Sequence, residues 1–502
     1  MTALTWKFSL ANVVRRFREE TPNAPALSDG THTITFSQLD VQTSKIAQFL
    51  ISHGVTPGAR VAIMARNSTI HFATLLAISK VGAVAVGINF RLSSLELTAL
   101  LDDADPALMF VDPESAPLVP EEFTTFVFTD ALEAQFEEFE ADDPEGLHPG
   151  DIALQLYSSG TTGLPKGTLI TNQNLSWTPK MGREFYRMSS DSVNLLTSPL
   201  FHIGGIGYGM TAFGNGAHTV IAPNMEPPTL LGLIEQYRIT NAFWVPTVIR
   251  FILIDYKKHP ADLSSLQLVA YGAAPIDDAT LLEAIDVLSC EFLGVYGMTE
   301  TAGSVTALDP EDHDPGGPRS HLLRSVGKAL PWHRVLVFNP ETLEPCATDE
   351  IGEIWIQSDQ NMVGYWQQPD LTTEAITQDG WFRTGDAGWL DQHGFLFMHD
   401  RIKDMIISGG ENVYPAEVER VLNTHPQVSQ AIVIGVPHER WGETVKAVVI
   451  ATEPIEESDL IAYARERLAH YKCPTSVVYV DSFPLNAAGK ILKRELRIQY
   501  GA

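Results

Sequence analysis

The sequence predicts an α/β protein with a large N-terminal domain, made of two α/β subdomains and a small β subdomain, followed by a small α+β C-terminal domain. Three observations lead to this prediction. The 502 residues exceed the usual size of one domain. Helix-period segments alternate with short apolar runs over much of the chain. From about residue 325 the pattern changes, first to short β-like runs and then to a mixture of both types.

The first alternation runs from Val41 to Asp112. A helical pattern ends at Gly54, and an apolar run that is typical of a buried strand follows at Arg60–Met64. Ser93 with Glu96 three residues later forms a capping-box pattern, which predicts the start of another helix. Because helices and apolar runs alternate, we expect a parallel sheet covered by helices.

The same alternation returns between residues 152 and 297, which predicts a second α/β unit. Short apolar runs separated by Asp and Gly turns follow between residues 325 and 399, and they indicate a small β subdomain. The last hundred residues mix strand and helix patterns, as a separate small domain would. We therefore expect an N-terminal domain at 1–400 and a C-terminal domain at 401–502.

Charge and cysteine content exclude several classes of protein. The chain carries 34 basic and 62 acidic side chains, a net charge of −28, which repels nucleic acids and anionic membrane surfaces. Cys290, Cys346 and Cys473 match neither a metal-ligand spacing nor a disulfide framework, so a reducing, cytoplasmic location is expected. We expect no signal peptide and no integral membrane segment. The oligomeric state stays open, with a homodimer as one alternative.

The most informative segment is the glycine- and hydroxyl-rich run at 157–167, which reads YSSGTTGLPKG. Glycines allow backbone N–H groups to turn toward an anion, hydroxyls add donors, and Lys166 adds a positive charge that reaches a polyphosphate. The order differs from a nucleotide-kinase loop, because proline precedes Lys166 and glycine follows it. The segment therefore predicts a phosphate-binding loop of another kind.

This segment resembles the phosphate-binding motif of the adenylate-forming superfamily, which includes acyl-CoA synthetases, aryl-CoA ligases, luciferases and the adenylation domains of peptide synthetases. Further motifs follow in that family's order: FHIGG at 201–205, YGAAP at 271–275, YGMTE at 296–300, WFRTGD at 381–386, DRIKD at 400–404, GGENVYP at 409–415, PLN at 484–486 and GK at 489–490. The resemblance covers essentially the whole chain. Ser158 stands where threonine is more usual, but the hydroxyl is retained.

The resemblance implies that a carboxylic acid reacts with ATP to form an acyl-AMP, and that CoA then takes the acyl group. The implied cofactors and substrates are ATP, Mg²⁺ and coenzyme A. The family's catalytic positions correspond here to Lys490, Glu300, His202 and Thr161, with Lys490 acting on the α-phosphate and the carboxylate. Glu300 and Thr161 would hold Mg²⁺, which prefers hard oxygen ligands.

The family's nucleotide-binding and CoA-binding positions form a larger set. They correspond here to Ser158, Ser159, Gly160, Thr161, Thr162, Gly163, Lys166, Gly272, Ala273, Ala274, Pro275, Tyr296, Gly297, Met298, Thr299, Asp386, Arg401, Lys403, Gly409, Gly410 and Lys490. Adenine would lie against Tyr296, and Asp386 would accept hydrogen bonds from the ribose. By resemblance, the C-terminal domain is mobile, and it swings about Lys403 to bring Gly409 and Gly410 to the site for the CoA reaction.

The substrate pocket is expected at His202, Gly205, Trp244, Gly272, Gly297 and Ala302. Adenylation domains for amino acids place an aspartate at the position of His202, so an amino-acid substrate is disfavoured. The glycines at 204, 205, 207 and 209 leave space for an extended chain, which favours a fatty acid. An aryl or other specialised acid is the alternative. An oxygen-dependent luciferase is a further one, and a nucleotide-gated binding module without catalysis would predict loss of Lys490 or Glu300.

Overall fold

The computed structural model describes residues 8–144, 152–158, 166–401, 404–408, 411–438, 440–486 and 489–501. Its first part contains α1 (Leu10–Glu20), β1 (Pro25–Ser28), β2 (Thr33–Thr35), α2 (Phe36–Ser52), β3 (Arg60–Met64), α3 (Thr69–Val81), β4 (Val84–Gly87), α4 (Ser94–Ala104), β5 (Leu108–Val111), β6 (Thr125–Val127) and α5 (Asp130–Glu137). The Ser93–Glu96 capping box is present at the start of α4, as predicted. Each side chain bonds the other residue's backbone N–H, which satisfies donors that a helix start leaves free.

The second part continues the alternation of strands and helices. It contains β7 (Ile152–Ser158), β8 (Lys166–Thr171), α6 (Asn172–Leu175), α7 (Thr178–Glu184), β9 (Val193–Leu196), α8 (Ile203–Phe213), β10 (His218–Ile221), α9 (Pro227–Tyr237), β11 (Asn241–Trp244), α10 (Pro246–Tyr256), β12 (Leu268–Gly272), α11 (Asp278–Leu288), β13 (Glu291–Met298), β14 (Gly303–Leu308) and β15 (Lys328–Ala329). Proline at the first position of α9 and α10 suits a helix start, because that N–H has no partner within the helix.

The third part and the C-terminal part are richer in β-structure. They contain β16 (Arg334–Phe338), β17 (Gly352–Gln357), β18 (Gly364–Tyr365), α12 (Pro369–Ala375), β19 (Trp381–Leu390), β20 (Leu396–Arg401), β21 (Ile406–Ser408), β22 (Glu411–Val413), α13 (Pro415–Leu422), β23 (Val428–His438), β24 (Gly442–Ala451), α14 (Glu457–Arg465), β25 (Ser476–Tyr479) and α15 (Lys493–Tyr500).

Two large sheets form the N-terminal part. One has the order β18-β8-β7-β4-β3-β5-β6, and the other has the order β15-β14-β13-β12-β11-β9-β10-β1-β2. The phosphate-loop strands were expected in the second unit, but β7 pairs in parallel with β4, so the strands on either side of the loop belong to the first sheet. The largest hydrophobic core lies between the sheets around α1, α2, α3 and α8. The predicted α/β class with a small C-terminal domain is confirmed.

A buried ion pair joins two of the helices between the sheets. The Lys80 side chain of α3 has no exposed surface, and its Nζ donates to Asp40 Oδ1 at 2.7 Å and to Ser44 Oγ at 2.8 Å, both on α2. A buried charge needs such partners, because an isolated one would pay the full cost of losing water. The pair therefore fixes how α2 and α3 face each other.

The remaining strands form two smaller sheets. Strands β16, β17, β19 and β20 form an antiparallel sheet, as predicted for a small β subdomain. The C-terminal part forms a five-stranded sheet of β22, β21, β24, β23 and β25, with its own hydrophobic cores. None of the helices in the described segments combines the length and the apolar character that crossing a membrane requires.

Candidate active site

The carboxyl end of β13 carries a tight turn with an acidic side chain. A 3-10 turn at Thr299–Thr301 follows the strand and holds Glu300, and the Met298 N–H closes the turn by donating to Thr301 Oγ1 at 3.0 Å. Gly297 is required just before it, because a Cβ there would lie 2.0 Å from the Gly303 carbonyl oxygen. The backbone therefore places Glu300 at the carboxyl end of a strand in a mostly parallel sheet, where ligands commonly bind.

Tyr365 connects the acidic turn to the phosphate-loop strand. Its hydroxyl donates to Glu300 Oε1 at 3.3 Å, and Lys166 Nζ lies 5.0 Å from the centre of its ring. Burial and the neighbouring carboxylate raise the pKa of the Tyr365 phenol, so it remains a donor. The register of β18 on β8 pairs Tyr365 with Thr168, which brings the ring to Lys166. Tyr365 was not predicted from the sequence, because it lies outside the motifs that resemble those of the family.

The predicted nucleoside positions come together at a second place on the same edge. The Tyr296 hydroxyl donates to Asp386 Oδ2 at 2.7 Å, and the backbone of Asp386 on β19 lies opposite that of Arg401 on β20. Gly272 ends β12 beside Val295, and a Cβ there would lie 2.3 Å from the Val295 carbonyl oxygen. A carboxylate held by a tyrosine beside a small-residue strand end can accept hydrogen bonds from vicinal hydroxyls.

The residues around this pair differ in their exposure. Ala273 adopts a left-handed φ of 68° directly after β12, Ala274 is half-buried, and Pro275 is exposed. Thr299 begins the turn that holds Glu300, whereas Met298 packs against the hydrophobic cluster that includes Tyr365. The Met298 side chain therefore has a packing role beside the turn that holds Glu300.

His202 precedes α8 and carries a buried ring nitrogen. Its Nε2 has no hydrogen-bond partner among the described residues. Burial, with a smaller contribution from the positive charge of Lys490, lowers the pKa of His202 to about 4. The imidazole is therefore neutral at physiological pH, and Lys490 lies close enough to act on it electrostatically.

The loop that carries Lys490 rests on the N-terminal part of the protein. Thr247 Oγ1, at the start of α10, donates to the Gly489 carbonyl at 3.1 Å, and Arg91 Nη1 donates to the Asn486 carbonyl at 3.0 Å. Within the loop, the Lys490 N–H donates to Asn486 Oδ1 at 2.9 Å. Lys490 is 288 positions from His202 in the sequence, and the structure brings it to the end of α8 where His202 lies.

The predicted pocket residues are only partly brought together. Trp244 has no exposed surface and lies in the core formed with α9, α10 and α11, so it does not line the pocket. Its neighbour Phe243 faces the opposite side of β11 and packs toward α8. Successive side chains of a strand point to opposite faces, so Phe243, and not Trp244, is on the side of β11 that faces α8.

The prediction that the glycines of α8 leave space for the substrate is also wrong for two of them. A Cβ at Gly205 would lie 2.0 Å from the Pro199 carbonyl oxygen, and one at Gly209 would meet Phe72 and Leu196. Both glycines therefore serve close packing and leave no space for a substrate. Gly204 is different, because the nearest atom to a Cβ there is Phe243 Cε1 at 3.7 Å. Ala302, expected in the pocket, is buried, with a left-handed φ of 48°.

Several predicted positions lie outside the described residues. These are Ser159, Gly160, Thr161, Thr162, Gly163, Lys403, Gly409 and Gly410, together with the side chains of Ser158 and Arg401.

The described residues fit a magnesium ion that is shared with a nucleotide. They contain no group of three or more His, Cys, Asp or Glu side chains able to hold a metal ion. Mg²⁺ commonly binds through one or two carboxylates and takes its other ligands from phosphates and water. Glu300 offers such a carboxylate at the end of β13, within the same set of contacts as Lys166 and Tyr365.

Comparison with known proteins gives one consistent family. The AMP-binding enzyme family matches residues 14–366, and its C-terminal domain matches residues 417–490. The chain is 37% identical over 498 residues to a feruloyl-CoA synthase of Amycolatopsis sp, covering 97% of this chain and 98% of that protein. It is 36% identical over 497 residues to the fatty acid–[acyl-carrier-protein] ligase ScoC of Streptomyces coeruleorubidus, covering 95% and 94%.

A solved structure agrees with these relatives. O-succinylbenzoate coenzyme A synthetase from Bacillus subtilis, in complex with ATP and magnesium ion, superposes with a TM-score of 0.85 at 29% identity, covering 97% of this chain and 99% of that one. The chain therefore belongs to the AMP-binding enzyme family. Within it, the chain falls in the acyl-CoA synthetase branch, and it is an AMP-forming acid–thiol ligase.

Proposed function

We propose that the protein activates a carboxylic acid with ATP and transfers the acyl group to the thiol of coenzyme A. The observation that carries the proposal is the placement of the Lys490 loop against His202, at the sheet edge that also holds Glu300 and the Tyr296–Asp386 pair. His202, Thr247, Gly272 and Glu300 lie at or after the carboxyl ends of neighbouring strands, and we propose that Lys490 acts there as a cation, Glu300 as a metal ligand and Asp386 as a ribose acceptor. Such a set suits a reaction between two anions.

In the first step, an oxygen of the substrate carboxylate attacks the α-phosphorus of ATP, and pyrophosphate leaves. Lys490 would offset the charge that gathers on the α-phosphate, and Lys166 would hold the departing phosphates. Asp386 would orient the ribose through its hydroxyls. Mg²⁺, held by Glu300 and by the Thr161 hydroxyl, would neutralise phosphate charge when bound. The product is a mixed anhydride, acyl-AMP.

In the second step, the CoA thiolate attacks the acyl carbonyl carbon, and AMP leaves with the former carboxylate oxygen. We propose that the C-terminal domain, residues 401–502, withdraws the Lys490 loop and rotates about Lys403, so that Gly409 and Gly410 border the path of the thiol. The absence of side chains at two successive positions would allow a narrow substrate arm to pass close to the backbone.

The neutral state of His202 restricts the acid. A neutral imidazole has no negative charge to offset the ammonium group of an amino acid, so an acid without an α-amino group is proposed. Fatty acids and aryl acids are both substrate classes of the relatives by name. Neighbouring atoms fill the space beside Gly205 and Gly209, so these two glycines do not favour a fatty acid over an aryl acid.

The test measures pyrophosphate release from ATP and Mg²⁺ with a panel of carboxylic acids, with and without CoA. We expect acid-dependent release without CoA, and thioester with stoichiometric AMP when CoA is added. Phosphate and ADP as products would contradict the proposal, as would release that no acid stimulates.

A further inference from the structure

Two polar side chains of β7 begin a series of hydrogen bonds beside the phosphate-loop segment at 157–167. Gln155 and Tyr157 are two residues apart on the strand, so their side chains point to the same face of the sheet. Gln155 has no exposed surface, and its Nε2 donates to the Tyr157 hydroxyl at 2.9 Å. That hydroxyl donates in turn to Oδ2 of Asp103, on α4, at 2.6 Å. The strand that enters the loop is therefore tied to α4.

Two further residues close this series into a ring of contacts. Arg60, the first residue of β3, donates from Nε to Gln155 Oε1 at 2.8 Å, and its Cζ lies 3.2 Å from the centre of the Trp366 ring. Trp366 Nε1 donates to the Asp103 carbonyl at 2.9 Å, so the contacts return to α4. We call the five residues Arg60, Asp103, Gln155, Tyr157 and Trp366 the loop brace.

The loop brace contacts both strands that border the phosphate-loop segment. Strand β7 enters it and β8 leaves it, and Tyr157 lies opposite Gly167 in this antiparallel pair. The Trp366 N–H donates to the Gly167 carbonyl at 2.7 Å, so the brace holds β8 as well as β7. Glycine at this position leaves room for the Gln155 amide, because a Cβ at Gly167 would lie 2.9 Å from Gln155 Nε2.

The loop brace also adjoins the charged groups of the candidate site. Lys166 precedes Gly167 on β8, and Tyr365 precedes Trp366. The Tyr365 hydroxyl donates to Glu300, and the Tyr365 ring lies beside Lys166. The backbone positions of Lys166 and Tyr365 therefore depend on the contacts of the brace.

The Tyr157 hydroxyl is the hydrogen-bond donor that connects β7 to α4. Burial and the neighbouring Asp103 carboxylate raise the pKa of the Tyr157 phenol, so the hydroxyl remains protonated. Gln155 uses both its amide oxygen and its amide nitrogen within the brace. Satisfied buried networks of this kind fix one arrangement of the groups that they join. A loop that binds a polyphosphate benefits from fixed ends, because less ordering is then left for the binding step.

We propose that Tyr157 is a positioning residue for the terminal phosphates of ATP, because its hydroxyl fixes the strand ends between which the phosphate loop is held. This inference rests on the proposed function, in which the segment at 157–167 binds phosphate. Tyr157 acts through the brace and not by contact with the nucleotide. AMP lacks the two terminal phosphates, and its ribose would be held by Asp386. The Tyr157 hydroxyl should therefore affect the binding of ATP and not that of AMP.

The test measures the binding of ATP with Mg²⁺, and separately of AMP, by isothermal titration calorimetry with no carboxylic acid present. Without the acid no acyl-AMP forms, so the titration measures binding alone. Tyr157→Phe keeps the ring and loses the hydroxyl, and we expect it to raise the Kd for ATP about three- to tenfold. The Kd for AMP should stay the same. A general loss of stability would not distinguish between the two nucleotides.

Two other variants accompany this measurement. Tyr463→Phe removes a tyrosine hydroxyl that is hydrogen-bonded to Thr424 Oγ1 at 2.9 Å in the C-terminal part, and it should change neither Kd. Asp103→Ala removes the acceptor of the Tyr157 hydroxyl and leaves the carbonyl that Trp366 contacts. It should also weaken the binding of ATP and not that of AMP. The double variant Tyr157→Phe/Asp103→Ala should lose no more than the larger single effect, since both changes break the same hydrogen bond.

Several outcomes overturn the inference alone. These are unchanged ATP binding in a folded Tyr157→Phe or Asp103→Ala, an equal loss for ATP and AMP, additive losses in the double variant, or the same selective loss in Tyr463→Phe. If Tyr157→Phe does not fold, Asp103→Ala decides in the same way, and failure of both to fold would overturn a role limited to positioning. In all these cases the wild type still binds ATP, and the proposed function stands. A wild type that does not bind ATP with Mg²⁺ would remove the proposed function, and the inference with it.

Discussion

Gly204 and Gly205 are neighbours on α8 with opposite surroundings, and they give the first prediction. Gly205→Ala should destabilise the protein by about 1–3 kcal/mol, because its Cβ would overlap the Pro199 carbonyl oxygen. Gly204→Ala should leave stability unchanged or raise it by up to about 1 kcal/mol, since alanine favours a helix and has room there. Urea denaturation measures both. Equal losses of stability would show that the two environments do not differ.

The second prediction concerns the effect of the Lys490 charge on the pKa of His202. Lys490→Met should raise the pKa of His202 above its value of about 4, because a nearby positive charge that disfavours the imidazolium is removed. The value should stay below the ordinary 6.5, since burial is the larger cause. Histidine NMR titration measures it, with His202→Gln to assign the signal. An unchanged pKa in Lys490→Met would mean that the Lys490 loop does not lie against His202 in solution.

At the scale of residues, the sequence and the structure agree best where a motif fixes the backbone. The YGMTE motif led to Glu300, and the structure places it in a tight turn that Gly297 makes possible. Trp244 was misplaced, because all four residues of β11 are buried and no polar alternation reveals which side chain faces which core. Phe243 was missed for the same reason.

At the scale of elements, the two-residue strand β18 gives the third prediction. Tyr365→Phe should lower kcat/KM for ATP by up to about tenfold, because Glu300 loses a hydrogen bond that holds its carboxylate. The ring, and with it the contact to Lys166, is retained. Steady-state kinetics at several Mg²⁺ concentrations measure the effect, with the unfolding midpoint as the control. Unchanged kinetics would mean that Tyr365 has only a packing role.

Elements with strong local signals were predicted closely. Strand β3 has the predicted bounds, and the α4 capping box was predicted directly from Ser93 and Glu96. Strand β18 was not found, because its partner β8 lies almost two hundred residues earlier and two residues carry no periodicity. Pairing between distant segments also placed β7 in the first sheet, which no local pattern indicates.

At the scale of the whole molecule, the docking of the C-terminal part gives the fourth prediction. Arg250 Nη2, on α10, donates to Ser429 Oγ at 2.6 Å and to the Ser429 carbonyl at 3.0 Å. Arg250→Ala should slow acyl-AMP formation about tenfold, because the docked arrangement loses charge-assisted hydrogen bonds. Thioester formation from supplied acyl-AMP should be unaffected or faster.

The matched control for this prediction is Arg238→Ala. Arg238 pairs with Asp262 within the N-terminal part, so its loss should change neither half-reaction. Rapid-quench measurement of each half-reaction separates the two effects. If Arg250→Ala slows both half-reactions equally, the Arg250 contact has no specific role in docking.

The fifth prediction concerns acid stability. Desolvation lowers the pKa values of the buried residues His71 and His333 from 6.5 to about 4. Between pH 6.5 and pH 4 the unfolded chain therefore binds protons that the folded chain does not, and stability falls as the pH falls through this window. Urea midpoints at pH 7.5 and pH 5 should show the loss. A His71→Gln variant should show a smaller pH dependence, and an identical dependence would contradict a neutral buried His71.

The Lys490 loop and the neighbouring domain surface are held by Arg91, Thr247 and Arg250, through a handful of hydrogen bonds. Each of these hydrogen bonds contributes about 1 kcal/mol, an amount that thermal motion can supply. In the proposed two-step cycle, the steady-state turnover rate should therefore have a maximum at an intermediate strength of docking. Weaker docking would slow the formation of acyl-AMP. Tighter docking would slow the rotation that the second step requires, so that acyl-AMP accumulates and is not transferred to CoA.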